Sequence, residues 1–483
     1  MVTVNDFQDD ISKEIYQLRK EFYETGSYKP LLKITVRNHN SVVSRVKRMS
    51  SKFQNALQKN KLRIIIFGGG NNGVWTCNWL REHGYSDRLA AFVDNSTDKQ
   101  AAGCLGLPVW SVKKAALADE NFLYVIPEGI YYLEMKNQLL NDGVAVENIQ
   151  IAPTLVIWHD ELEKRDDLAE ILANELNHFV LFRLSSAMSL EYTDLITMSN
   201  FLQSAGLKVD GFCEPDLGPY NRLERWPLRS LGEVLQDAEQ PYFVVMDSMS
   251  EKCLKCAGVP AKKILHLANI PQLQYFDETI NPYRGHGHEI FIDGGVLNLT
   301  SSRNFLEYCH GQCDKIYAFE PDKHSYDRCC QMLERERKLK EIVHLIPKGL
   351  WKENAVLSFA SNTCHPGGSR IDSNAPKCDC AQADNETVIC TSIDDTLQGG
   401  KATFIKFDIE GSELAALQGA KHTIETYHPT LAISVYHKPE DIVTIPEYIK
   451  EIAPEYKFYL RCYNSDNLEV VLYALWSGNT ASD

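Results

Sequence analysis

Residues 290–295 read IFIDGG and residues 316–322 read IYAFEPD, and these two stretches decide the fold. Each is a short apolar run that stops on an acid, Asp293 or Glu320, and passes at once into turn formers. Apolar runs of about four to eight residues bounded by turn signals read as buried strands. Working outward, 342–346, 404–407, 431–435, 457–461 and 469–475 read as further strands, and the last two are spaced for an antiparallel hairpin. Strands alternating with helical stretches predict an α/β fold, a Rossmann-like sheet of seven strands with an antiparallel edge. Such sheets take ligands at the carboxyl ends of their strands, so the acids that end these runs are the first candidates for a site.

Toward the amino terminus the same texture recurs. Residues 62–67 form an apolar run that stops on Gly68, Gly69 and Gly70 before a helical stretch at 74–80. Further strands are read at 90–93, ending on Asp94, at 123–126 and at 149–152. The order repeats at 179–181, 211–213 (ending on Glu214), 242–245 and 264–267, and LPVWS at 107–111 corresponds at a constant offset to WPLRS at 226–230. We read two tandem Rossmann-like units, the second degenerate because Arg183, Leu184, Ser185 and Ser186 stand where the first has its glycines. Ahead of them Phe7, Ile11, Ile15, Leu18 and Phe22, then Val42, Val46, Met49, Phe53 and Leu57, recur at helical spacing. The expected organisation is a helical arm at 1–60, units at 61–155 and 156–285, and the seven-stranded domain at 286–483. The arm is expected to pack on the chain or to join two copies of it.

Gly68, Gly70 and Gly73 satisfy G-x-G-x-x-G between a strand and a helix, and Asp94 ends the next strand. That pattern suits a pyrophosphate on the helix amino terminus and ribose hydroxyls on the acid, so a nucleotide, NAD or a nucleotide-sugar is the expected ligand there. Tyr132 and Lys136 make a Y-x-x-x-K spacing that 22 tyrosines produce by chance.

Composition narrows the function classes. Hydrophobic residues make up 44% and charged residues 24% of 483, which is ordinary for a globular chain. A net charge of −15 argues against a general nucleic-acid surface. No apolar run reaches the ~20 residues of a membrane span, and the first residues lack a signal-peptide core, so a cytoplasmic location is expected. Fourteen unevenly spaced cysteines read as reduced thiols. Cys364, Cys378, Cys380 and Cys390, with His365 nearby, match no common zinc spacing, and no metal site is expected. Cys253 and Cys256, a solitary CxxC, read as helix packing.

The carboxy-terminal stretch resembles the FkbM-type S-adenosylmethionine-dependent methyltransferases. FIDGG at 291–295, YAFEPD at 317–322, KGLW at 348–351, GSRI at 368–371, TSIDDTL at 391–397, FIKFDIEGSELAALQGA at 404–420 and LAISVYHKPEDI at 431–442 carry the resemblance. It implies that Asp293 and Gly295 lie against the methionine and ribose of S-adenosyl-L-methionine, that Glu320, with Asp322 beside it, holds the ribose hydroxyls, and that Leu350 or Trp351 flanks the adenine. It also implies that Asp408 and Glu410 face the reacting methyl group, and that the acceptor is a hydroxyl of a sugar or glycan precursor. One position departs: Leu299 stands where the family usually has a glycine, and would narrow the pocket unless the loop takes another path. Of the groups that end the central strands, His437, with an ordinary pKa near about 6.5, is the expected general base. Asp408 and Glu410 would orient the acceptor, or one would be the base if burial raised its pKa.

Overall fold

The computed structural model describes residues 2–118, 120–128, 132–153, 156–157, 178–184, 192–215, 222–223, 225–245, 248–267, 274–283, 287–360, 370–371, 385–463 and 469–476. The chain forms two compact units. One comprises Met1–Asn38, Leu190–Lys208 and Asn269–Asp483, the other His39–Ser189 and Val209–Ala268.

The second of these holds two sheets. Strands β1 (Arg63–Phe67), β2 (Leu89–Val93), β3 (Val109–Trp110), β4 (Phe122–Pro127) and β5 (Ile149–Ala152) pair in parallel in the order β3-β2-β1-β4-β5. Helix α1 (Asp10–Thr25) belongs to the other unit; helix α2 (Lys29–Lys59) runs on to place Phe53 and Leu57 in the core with Ile64 and Ile66 of β1. Strands β6 (His178–Phe182), β7 (Lys208–Glu214), β8 (Arg222–Leu223), β9 (Trp226–Ser230), β10 (Tyr242–Val245) and β11 (Ile264–His266) form the next sheet in the order β11-β10-β6-β7-β9-β8. Ser111 after β3 and Ser230 at the end of β9 each cap a short helix, the hydroxyl accepting from the N–H three residues on.

The larger unit is built on β12 (Glu289–Gly294), β13 (Cys313–Phe319), β14 (Val343–Ile346), β19 (Phe404–Phe407), β20 (Thr430–Ser434), β21 (Tyr456–Cys462) and β22 (Val470–Trp476), in the order β14-β13-β12-β19-β20-β22-β21. The first five are parallel, and β22 runs antiparallel to β20 and β21, as the hairpin spacing predicts. Connections leave β12 in both directions, so β12 and β19 flank the topological switch point where open α/β sheets bind ligands. A feature the sequence does not announce lies between β14 and β19: β15 (Gly349–Leu350), β16 (Ala355–Ala360), β17 (Arg370–Ile371) and β18 (Asn385–Thr391) make a small separate sheet. Helix α1 covers edge strand β21, with Ser12 Oγ accepting from Leu460 N at 2.8 Å and Arg461 paired to Asp9 at 2.7 Å.

The core under this sheet is aromatic. Phe291 stacks on Phe305 at 4.2 Å between centroids, with Phe276, Tyr308 and Phe404 around them. Leu299 belongs to that cluster and is fully buried, so it points into the core, away from any ligand crevice. The loop takes another path at this point, and its backbone carries the consequence. Leu297 and Leu299 both sit at positive φ, 43° and 59°, a region that disfavours side chains with a Cβ, and Leu299 caps helix α3 (Thr300–Tyr308) from there. Leu299→Ala should therefore lower stability in urea denaturation by about 2–4 kcal/mol. Leu299→Gly should cost no more than Leu299→Ala, because release of the left-handed backbone returns about 1 kcal/mol. A glycine variant clearly less stable than the alanine one would contradict the strain.

Candidate active site

At the switch point the carboxyl ends of β12 and β19 nearly touch. A Cβ on Gly295 (φ 78°) would lie 1.9 Å from the carbonyl oxygen of Asp408, and one on Gly294 2.9 Å from the Phe407 ring. Only glycine fits there, and the reason is the crossing of two chain segments. Lys406, buried on β19, fastens the crossing: its Nζ donates to Gly294 O at 2.9 Å and Gly295 O at 2.7 Å and lies 3.3 Å from Asp293 Oδ1.

The expected donor-side residues separate into two kinds. Asp293 is wholly buried and engaged, accepting from Ser301 Oγ and Ser302 Oγ at 2.7 Å besides its contact with Lys406. Asp322 caps the helix after it, accepting from Ser325 N at 2.8 Å. Leu350 is buried beside Gly294, and the Trp351 N–H donates to Thr391 O, tying the end of β15 to β18. Glu320 differs. It stands just past the end of β13, its Oε1 accepting from Asp322 N and its Oε2 from Leu297 N, both at 2.9 Å. Burial pushes its pKa up to about 7 against the pull of those two N–H groups, so it is poised between acid and carboxylate near neutral pH.

The acceptor-side residues converge. Asp408 Oδ1 accepts from Ser434 Oγ at 3.0 Å and from Tyr436 OH at 2.8 Å. Glu410, at a positive φ of 54° before Gly411, turns back so that its Oε1 lies 3.5 Å from His437 Nε2, the same distance at which Asp408 Oδ1 lies. On the other side of the ring His437 Nδ1 is 2.8 Å from Oε1 of Glu413, an acid wholly buried in the first turn of helix α4 (Glu413–Gln418), which also accepts from Ile409 N. That contact puts a proton on Nδ1.

The electrostatics correct one expectation. Burial alone would lower the pKa of His437, but Glu413, Glu410 and Asp408 outweigh it and hold the imidazole well above its ordinary range. His437 therefore does not titrate as an unperturbed histidine. For Asp408, burial is outweighed by Lys406 and His437, and the carboxyl stays below its usual range, whereas burial raises Glu410. Glu413 and Asp441, the latter pushed up to about 7 chiefly by burial and then by Glu413, escape a reading of the sequence. Their signal is present all the same: Glu413 opens the helix after β19, and Asp441 stands four residues beyond His437.

In the other unit, the three motif glycines have three different surroundings. Gly68 has φ 97°, a Cβ on Gly73 would lie 1.8 Å from Gly68 O, and a Cβ on Gly70 would meet nothing within 4 Å. Gly68 is fixed by the turn and Gly73 by helix packing, and Gly70 alone leaves open backbone. Asp94 accepts from Gly69 N at 2.7 Å and pairs with Lys99 at 2.9 Å. In the neighbouring sheet Arg183 pairs at 3.2 Å with Glu214, the acid in the corresponding position. Ser185 and Ser186, and Cys364, His365, Cys378 and Cys380, lie outside the described residues.

Residues 295–459 match the family model described as the Methyltransferase FkbM domain. That stretch of the chain therefore carries a Methyltransferase FkbM domain. Among solved structures it is similar to the methyltransferase FkbM from Methylobacillus flagellatus KT, at 18% identity and a TM-score of 0.35, covering 91% of this chain and 100% of that one. It is also similar to a putative rRNA-methylase from Clostridium thermocellum, at 10% identity and a TM-score of 0.25, covering 39% of this chain and 87% of that one. No curated protein matches it. Among the described residues, no helix is long and apolar enough to cross a membrane.

Glu320 yields a prediction independent of any ligand. An acid whose folded pKa is raised binds its proton more tightly in the folded state, so its contribution to stability is fully present below about pH 4.5 and is lost as pH rises toward 7. Urea denaturation at pH 5 and pH 8 should therefore show wild type losing about 2 kcal/mol more than Glu320→Gln across that interval. Equal losses would show that Glu320 is not held toward its neutral form.

Proposed function

We propose that the carboxy-terminal domain transfers the methyl group of S-adenosyl-L-methionine to a hydroxyl of a sugar or glycan precursor. The observation that carries this reading is that Glu320 and the Asp408, Glu410, His437 cluster stand at the same edge of one sheet, on either side of its switch point. Glu320 takes the ribose hydroxyls on the lone pairs its backbone bonds leave over, with Leu350 and Trp351 on the adenine side. Asp293 and Gly295 shape the loop that receives the methionine portion, and Asp322 fixes Glu320 through its N–H. At the acceptor side, Asp408 and His437 orient the hydroxyl, and Glu410, whose pKa burial raises, receives its proton. The methyl carbon leaves sulfur with the C–S electron pair going to sulfur, and the acceptor oxygen supplies the pair of the new O–C bond.

The saccharide assignment draws on the first sheet as well. We infer that its glycine turn holds a nucleotide, NAD or a nucleotide-sugar, with pyrophosphate over Gly70, Lys99 beside it and Asp94 toward the ribose. A chain that grips a nucleotide-linked sugar in one unit and transfers methyl groups in another suits modification of glycan precursors.

Calorimetry with S-adenosylhomocysteine tests the donor site. Glu320→Ala should weaken binding by about 2–4 kcal/mol, the loss of two hydrogen bonds to a charged group. Unchanged affinity in a folded variant refutes the assignment. A Cβ at position 70 meets nothing within 4 Å, so Gly70→Val should fold, lose nucleotide binding and keep wild-type S-adenosylhomocysteine affinity. If wild type binds no nucleotide or nucleotide-sugar at millimolar concentration, the first sheet is a scaffold.

A further inference from the structure

We propose that Asp408, Glu410 and His437 bind a divalent cation, through a carboxylate oxygen of each acid and Nε2 of the imidazole, and that the acceptor oxygen docks on that ion. The site stands on geometry; its use in catalysis rests on the methyl-transfer reading above.

The donor atoms of the three side chains lie within 4.8 Å of one another, and Nε2 is 3.5 Å from an oxygen of each acid. Ligands about 2.1 Å from a common ion are about 3.0 Å apart at right angles and about 3.4 Å apart at tetrahedral angles, so small movements close the set. The second observation is His437 itself. Its side chain is only 8% exposed, and Nε2 is buried with no hydrogen-bond partner while it faces both acids. A buried polar atom without a partner is costly and calls for a ligand.

The surrounding shell has the form that metal sites use. A ligating histidine commonly gives its other ring N–H to a carboxylate, which fixes the tautomer and aims the free nitrogen, and Glu413 does this to Nδ1 at 2.8 Å. Asp408 is braced in turn by Ser434 and Tyr436. Two carboxylates and one imidazole suit a cation of the Mg2+ or Mn2+ class, with Mn2+ favoured by the nitrogen. Three protein ligands leave coordination positions open, and a hydroxyl bound there would lose its proton more readily.

Mn2+ titration of chelator-treated full-length protein, read by the loss of the free-ion electron paramagnetic resonance signal, tests the site. One ion per chain is expected. Glu410→Gln, at a partly exposed side chain, and His437→Gln should each weaken binding at least tenfold, and Glu413→Gln should weaken it about 10- to 100-fold by releasing the imidazole. S-adenosylhomocysteine affinity measured on the same samples should stay at the wild-type value and reports that each variant is folded. Absence of stoichiometric binding at millimolar Mn2+, or binding unchanged in both Glu410→Gln and His437→Gln, overturns the site. Full methylation activity after chelation overturns the ion's catalytic use and leaves the methyl-transfer reading standing. Mn2+ bound by a protein that takes no S-adenosylhomocysteine supports the cation site and removes that reading instead.

Discussion

The buried ammonium of Lys406 is the interaction on which the larger unit depends. A charge taken out of water must be paired and hydrogen-bonded, and Lys406 meets that demand by clasping the carbonyls of Gly294 and Gly295 and the carboxylate of Asp293. The same clasp brings the end of β12 against the end of β19 so closely that Gly295 cannot carry a side chain. Ser301 and Ser302, at the start of the next helix, complete the partners of Asp293 and fix the loop between. The two halves of the crevice are thus set by one network: the loop that presents Leu297 N–H to Glu320, and the turn that swings Glu410 back to His437.

Much of this is legible in the chain, for identifiable reasons. The strand-ending acids Asp293, Glu320 and Asp408 stand where apolar runs stop, and that signal survives any tertiary context. Spacing alone announces the hairpin of β21 and β22. The separate small sheet of β15 to β18 is not announced, because β15 and β17 are only two residues long and β16 and β18 expose apolar residues such as Val356 and Ile389. Leu299 misleads for a different reason: a motif comparison counts a missing glycine, whereas the backbone accepts a leucine at positive φ when the aromatic cluster buries its side chain. The partners of Asp293 are likewise beyond the sequence, since nothing in FIDGG reveals that two serines and a lysine already occupy the carboxylate. Position singles out His437, but its environment stays hidden, because Asp408, Glu410 and Glu413 reach it from another strand's end and from the helix beyond it.

The two sheets of the smaller unit place an acid at the same position in two different surroundings. Asp94 and Glu214 both end a second strand. Asp94 faces a glycine turn and a lysine, with backbone left open at Gly70; Glu214 is closed off by Arg183. A guanidinium placed there pairs with the acid.

In the proposed reaction a donor site at Glu320 meets an acceptor site at His437 across the crossing that Lys406 holds. The most direct measurement is a crystal structure with S-adenosylhomocysteine bound. It should show both ribose hydroxyls on Glu320 and the sulfur directed toward Asp408, Glu410 and His437, with the Gly295 loop unmoved. Density for the ligand on any other face of the sheet, or a ribose that leaves Glu320 untouched, would contradict it.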